Sequence, residues 1–332
     1  MALLGRTLFL VAAGLVGAGC KGAGPAPVSC APRALDGGWG TPVALASGLP
    51  GPSYLAVDSA YVYWTNSGSL QGANGSVMRM PLGGGAPQTL ASGLSSPGPL
   101  TVDATDVYWT NFGAGGDAGS VMKAPLAGGS AVTLASNLAN PGGIAVDAIH
   151  VYWVDQGTGI NNYNDGDVMS LPLAGGTPTS LVGAQKQPGF IALDANDIYW
   201  TNGGAQGALL KAPKVGGQTT TLAANLYTPG ALAVDANNVY VTYGYNPNAV
   251  IQAISLSGAD AGILAGALFA PAALTSDGTN VYWTDQDKVE AAPINGGGAN
   301  VLASGQFGPL GIALGCGTLY WADQQGGLMM KL

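Results

Sequence analysis

Apolar residues in this chain fall into short unbroken runs such as Leu55-Ala56-Val57 and Val62-Tyr63-Trp64, with neither the alternation of a half-exposed strand nor the period of a helix. Such runs, bounded by Gly, Asn, Asp and Pro, predict strands buried on both faces. They recur in a fixed order. The string P-x-x-[LI]-[AT]-x-D, three further residues and a hydrophobic-Tyr-Trp triplet first reads PSYLAVDSAYVYWTN, from Pro52 to Asn66. Later units start at Pro97, Pro141, Pro188, Pro229, Pro271 and Pro309, the last with Gly315 in place of the acid. Their Trp position falls at 64, 109, 153, 200, 241 (a valine), 283 and 321, giving spacings of 45, 44, 47, 41, 42 and 38 residues. Self-similarity at this period predicts a repeat architecture.

Each unit carries four strand signals. The first apolar run ends at an acid (Asp58, Asp103, Asp147, Asp194, Asp235, Asp277), whose carboxylate can bond its own backbone two residues on and so predicts a tight turn. The Tyr-Trp run is the second strand. A Gly/Asn-rich loop leads to a third, such as Val77-Met78-Arg79-Met80, and a Gly-Gly hairpin to a fourth, Gln88 to Ser92. Four antiparallel strands per unit, seven times over, predict an all-β, seven-bladed β-propeller. The final unit stops at its third strand, Leu328 to Leu332, while TPVALAS at 41–47 matches the fourth-strand segment APQTLAS at 86–92. The N-terminal strand is therefore expected to close the last blade and leave no open edge in the ring.

Composition narrows the function. Charged residues are 8% of the 332, against about a quarter in ordinary soluble domains, and the net charge is −8 with no basic run. A phosphate backbone would be repelled, which argues against nucleic acid. One His, one Glu and three Cys leave little material for acid–base or nucleophilic catalysis.

Residues 1–19 read as an export signal, with Arg6 ahead of an apolar stretch from Leu8 to Gly19 that is too short to span a bilayer. The ending LVGAGC resembles the lipobox of bacterial lipoproteins, with Gly17 where a Leu is usual. That resemblance implies a lipidated Cys20, the only membrane attachment expected, and a cell-envelope location at the outer membrane or periplasmic face. A plain secretory signal is the alternative. Residues 20–40 are then the lipidated cysteine and a Pro/Ala/Gly-rich tether, and 41–332 the propeller. Cys316 replaces the turn residue of the last unit, and Cys30 lies some eleven residues before the closing strand, so a Cys30–Cys316 disulfide is expected in an oxidising compartment, with free thiols the alternative.

The Tyr-Trp-Thr-Asp/Asn string resembles the YWTD propeller repeats of the low-density lipoprotein receptor type, over residues 41–332. The resemblance implies that Tyr63 and Trp64, and their counterparts in the other units, pack between blades. It also implies that the final acid, kept at Asp155, Asp285 and Asp323 and replaced by Asn66, Asn111 and Asn202, bonds backbone. It implies six blades where seven units are present, and with no EGF-like modules the receptor function does not carry over.

Catalytic propellers of the gluconolactonase type ligate a metal at the channel mouth, and streptogramin lyases use a His base. Here the two residues after each motif proline include no carboxylate or His, so no metal, cofactor or catalytic residue is expected. His150 occupies a turn slot held elsewhere by Asp or Asn. The loop 156–167 offers Asn161, Asn162, Asp165 and Asp167 as hard oxygens for an ion or sugar hydroxyls, though without EF-hand spacing. Between-blade loops on the same face carry Tyr54, Phe190, Tyr227, Phe269 and Phe307, which form either an aromatic platform for a peptide or glycan or packing between blades. Glu290, where other third strands carry an apolar residue, is satisfied by Lys288 or a solvent-exposed edge, or else has a functional role. The expectation is a monomeric, non-catalytic envelope lipoprotein binding an unidentified protein or glycan across the face of loops 67–76, 112–120 and 156–167. The alternative is a propeller lyase or hydrolase acting on a polysaccharide or lactone at the channel mouth.

Overall fold

A computed structural model describes residues 35, 38–68, 74–113, 118–158 and 164–332. The described residues form seven four-stranded antiparallel sheets, whose innermost strands contact one another in sequence around a closed ring. Blade 1 runs outward through Pro52–Val57, Tyr61–Asn66, Gly75–Pro81 and Gln88–Leu94, and the next five repeat this order. Blade 7 is assembled from both ends of the chain: Val43–Ala46 pairs with Leu328–Lys331, outside Thr318–Asp323 and Pro309–Gly315. The ring thus has seven blades, one more than the resemblance implies. No helix among the described residues is long and apolar enough to cross a membrane.

The Tyr-Trp pair explains why the blades stack. Neighbours along a strand point to opposite faces of a sheet. The tyrosine of one blade therefore enters the same seam as the tryptophan of the next: Tyr63 with Trp109, Tyr108 with Trp153, Tyr152 with Trp200, Tyr320 with Trp64. These rings are fully or almost fully buried. Truncating one such ring to Ala costs about 3–5 kcal/mol, so a single repeated dipeptide supplies much of the ring's cohesion.

The innermost strands carry a second device. In six blades they hold an extra residue between the proline and the apolar run, as where Pro52 pairs with Asn66 but Leu55 with Trp64. A bulge leaves an amide without a ladder partner. The Thr that follows Trp accepts it: Tyr54, Phe190 and Ala273 N–H donate to Thr65, Thr201 and Thr284 Oγ1 at 3.4, 3.3 and 3.3 Å. The same hydroxyl can donate into the next blade, from Thr110 to Gly142 O (3.1 Å) and from Thr284 to Leu310 O (2.7 Å). Neighbouring inner strands then come very close. A Cβ on Gly311 would lie 2.6 Å from Ser53 O, and one on Gly143 would lie 2.8 Å from Ile191 N.

Candidate functional site

The ring has two unlike faces. On the first, the turn between strands one and two meets the Gly-Gly hairpin between strands three and four, as in the bonds from Leu82 N to Ala60 O and from Leu126 N to Thr105 O. On the second, the linker entering each blade meets the loop between its second and third strands: Ser67 N bonds Gly51 O, Phe112 N bonds Ser96 O and Gln156 N bonds Asn140 O. These are called the turn face and the loop face.

The turn face is closed on itself. Asp58 Oδ1 accepts the N–H of Ala60 and Tyr61, both at 2.7 Å, while Oδ2 accepts the Tyr63 hydroxyl at 2.6 Å. The same three-donor clamp forms at Asp103, Asp147, Asp194, Asp235 and Asp277. Burial and then the carboxylate partner push the hydroxyls of Tyr63, Tyr108 and Tyr199 far above their ordinary value. Burial alone would raise the Asp147 carboxyl. The N–H groups of His150 and Ile149 and the Lys214 ammonium outweigh it and hold that acid below its usual range. Three ion pairs lie here, Lys123–Asp106, Lys211–Asp197 and Lys214–Asp147, at 2.9 to 3.2 Å. His150 is half-buried with its ring 5.7 Å from Tyr152, and its turn is held by Asp147. Blade 7 lacks the clamp: Gly315 and Cys316 take the turn, and Cys316 adopts φ 46°. Beside it the chain ahead of the closing strand is laid on the propeller. Leu35 and Trp39 pack against the large core cluster, and the Trp39 ring meets Tyr282 edge-on at 5.8 Å. Cys20 and Cys30 lie outside the described residues.

The loop face divides the five junction aromatics. Phe190 is 4% exposed and belongs to the core, and Tyr54 is half-buried against two core clusters, so neither forms a platform. Both sit two residues after a motif proline, inside the inner strand. Tyr227, Phe269 and Phe307 sit two residues before one, in the linkers entering blades 5, 6 and 7, and are 45%, 44% and 65% exposed. Tyr245, in the loop between the second and third strands of blade 5, joins them at 60% exposure, its ring edge-on to Tyr227 at 5.3 Å. Sequence reasoning missed Tyr245 because it lies outside the motif. Its place directly after Gly244 in a polar loop was the available signal.

These rings are held firmly. Gly244 N bonds Tyr227 O at 2.7 Å, and Thr228 Oγ1 donates to Gly244 O at 2.9 Å. Phe269 N donates to both oxygens of Asp285 (3.1 and 3.2 Å), and Phe307 N to Asp323 Oδ2 (2.9 Å). Asp285 and Asp323 are buried. The last acid of the motif thus bonds the backbone of the linker preceding it, and Asp155 does the same with Ala139 N at 3.1 Å. The asparagines act differently: Asn66 and Asn111 accept Trp64 and Trp109 Nε1, and Asn202 donates to Gln185, which also accepts Trp200 Nε1.

Glu290 is accounted for by this same indole requirement. Its Oε2 accepts Trp283 Nε1 at 3.1 Å, so an indole satisfies it, in place of the Lys288 or solvent edge expected from the sequence. Burial pushes its carboxyl up against the opposing pull of Lys288. In the loop 156–167, Asn161 and Asn162 lie outside the described residues. Asp165 accepts from Thr158 N at 2.9 Å and from the Thr158 hydroxyl, and Asp167 accepts from Ser180 Oγ across the outer hairpin. Among the described residues no group of three or more His, Cys, Asp or Glu is placed to hold a metal.

No family model and no curated protein matches the chain. Among solved structures, it is similar to a chain of the crystal structure of a nidogen/laminin complex at 24% identity and TM-score 0.52, over 67% of this chain and 88% of that one. It is also similar to the computationally designed Ika8 protein at 13% identity and TM-score 0.55, over 86% and 98%. At these identities the likeness is one of fold.

Proposed function

We propose that this protein is an exported envelope lipoprotein, anchored through Cys20, whose propeller acts by binding a macromolecular ligand across its loop face rather than by catalysis. The observation that carries this reading is the arc of Tyr227, Tyr245, Phe269 and Phe307. Four large rings are exposed on one face, Tyr227 and Tyr245 in contact and Phe269 and Phe307 in the next two linkers, and such apolar exposure on a rigid scaffold marks an interaction surface. The neighbour from a nidogen/laminin complex is compatible with a binding role for such a ring. The chain acts as a monomer, and a Cys30–Cys316 disulfide ties the tether to the turn of blade 7.

The tether side fits the same reading. Trp39 lies on the turn face, opposite the arc, and an anchor reached through it would leave the arc facing away from the membrane.

The test is cosedimentation with delipidated envelope material. A Tyr227→Ala/Tyr245→Ala/Phe269→Ala/Phe307→Ala variant should lose it, while Ile149→Ser/Val215→Ser, at exposed turn-face positions, should keep it. Equal cosedimentation of both variants would refute the loop face as the binding surface.

A further inference from the structure

The arc's surroundings are as informative as its rings. Three linkers and three loops build the loop face of blades 5, 6 and 7: residues 225–229, 267–271, 304–309, 244–248, 286–287 and 324–327. Together they contain one charged side chain, Asp287. Between the rings stand side-chain amides: Asn246, Asn248, Gln286 and Gln325 are exposed. Gln325 is tied to the arc, since its N–H bonds Phe307 O at 2.9 Å and its side chain lies about a Cβ contact away from Gly308. The ion pairs Lys123–Asp106, Lys211–Asp197 and Lys214–Asp147 lie on the opposite face.

We infer that this arc is a binding site for a neutral polysaccharide, a narrower claim that rests on the loop-face reading above. Each pyranose offers an apolar C–H face, which an aromatic ring can cover, and hydroxyls that both donate and accept, as side-chain amides also do without charge. A polymer repeats those features at regular intervals, and the arc presents its exposed rings in three consecutive linkers. Charge is sparse here: beside Asp287 only the half-buried Lys288, at the start of the adjoining strand, and Lys186, next to the Gly204 loop that Thr228 N bonds, come near, so a neutral ligand meets little ion desolvation. The rigid support also fits. Phe269 and Phe307 are each held by a buried carboxylate from the blade they enter, so little ordering entropy remains to be lost on binding.

The probe is native electrophoresis of the full chain in a non-ionic detergent, through gels cast with mixed-linkage β-glucan, galactomannan, xylan or glycogen, or with the polyanions alginate and polygalacturonate. With a net charge of −8 the protein migrates without help from the matrix. Retardation is expected in at least one neutral gel, unchanged by added salt, and in neither polyanion gel. Phe269→Ala/Phe307→Ala should weaken it by about tenfold, Phe307→Tyr should retain it, and Ile149→Ser should leave it unaltered. These positions are exposed, and an unchanged melting temperature confirms that each variant folds. No retardation in any neutral gel, retardation that survives the arc variants, or retardation abolished by salt overturns the inference. If the arc variants instead abolish capture of a protein while every neutral gel is passed freely, the polysaccharide is refuted and the loop-face reading stands. If neither signal depends on the arc, both fall.

Discussion

Tyr199 and Tyr320 occupy the same place in blades 4 and 7, both buried, yet only Tyr199 has an acid beneath it. Replacing each with Phe deletes one oxygen and leaves the ring packing intact. At Tyr199 the deletion removes a bond of 2.7 Å to Asp194 Oδ2. Hydrogen bonds to charged groups contribute about 1.5–3 kcal/mol, and Asp194 keeps the N–H groups of Asn196 and Asp197, so a loss of about 2 kcal/mol is expected. For a chain of this size that lowers the melting temperature by about 4 °C. At Tyr320, whose hydroxyl meets the Thr318 side chain and no carboxylate, the loss should stay at about 1 kcal/mol or below. Urea unfolding followed by tryptophan fluorescence reads both, since the buried tryptophans report on the seams. The pH dependence has a defined sign. Burial would raise the Asp194 carboxyl, but the Asp197 N–H, the Tyr199 hydroxyl, the Asn196 N–H and Lys214 together hold it below its usual range. A depressed folded pKa gives stability that is present above the unfolded value and lost as pH falls through the folded one. The gap between wild type and Tyr199→Phe should therefore close on acidification. Equal losses at Tyr199 and Tyr320, or a gap indifferent to pH, would refute the clamp as a stabilising element.

Three further outcomes follow from the geometry. Gly311→Ala places a methyl 2.6 Å from Ser53 O and 3.0 Å from Leu55 N, backbone atoms of the adjoining blade, and should cost about 2–3 kcal/mol in the same urea assay. Thr284→Val removes both the acceptor for Ala273 N–H and the donor to Leu310 O, and should cost about 2 kcal/mol, whereas Thr284→Ser should recover most of it. Glu290→Gln keeps an oxygen for Trp283 Nε1 but no charge. Because burial raises the folded carboxyl, wild-type stability is full below the unfolded value and lost as pH rises, so the variant should melt above wild type at pH 8 and level with it near pH 4.

The architecture was legible because the motif is a packing code. Adjacent Tyr and Trp must face opposite seams, and an acid before a short turn has few other uses. What the acid does beyond its own backbone was not legible, since the clamp joins Asp58 to Tyr63 only once the hairpin has brought them together. The arc was half legible. Five aromatics near the prolines look alike in composition, but Tyr54 and Phe190 follow the proline into a buried strand while Tyr227, Phe269 and Phe307 precede it on an exposed linker. Position relative to the proline carried the distinction. Glu290 was misread because its partner is an indole on the neighbouring strand, and cross-strand register is invisible in a linear string.

The split blade sets the order of events when the chain is made. Blades 1 to 6 each pair strands that are near neighbours in sequence, so each can form as soon as its own residues are available. The contact of Val43 with Lys331 cannot. It joins residues almost the whole domain apart, and loop-closure entropy makes such pairings slow. Until then the seam between blades 7 and 1 stays open, with Tyr320 and Trp64 uncovered on its two sides. Folding therefore passes through an unclosed state, in which shielding those two edges protects every blade already built.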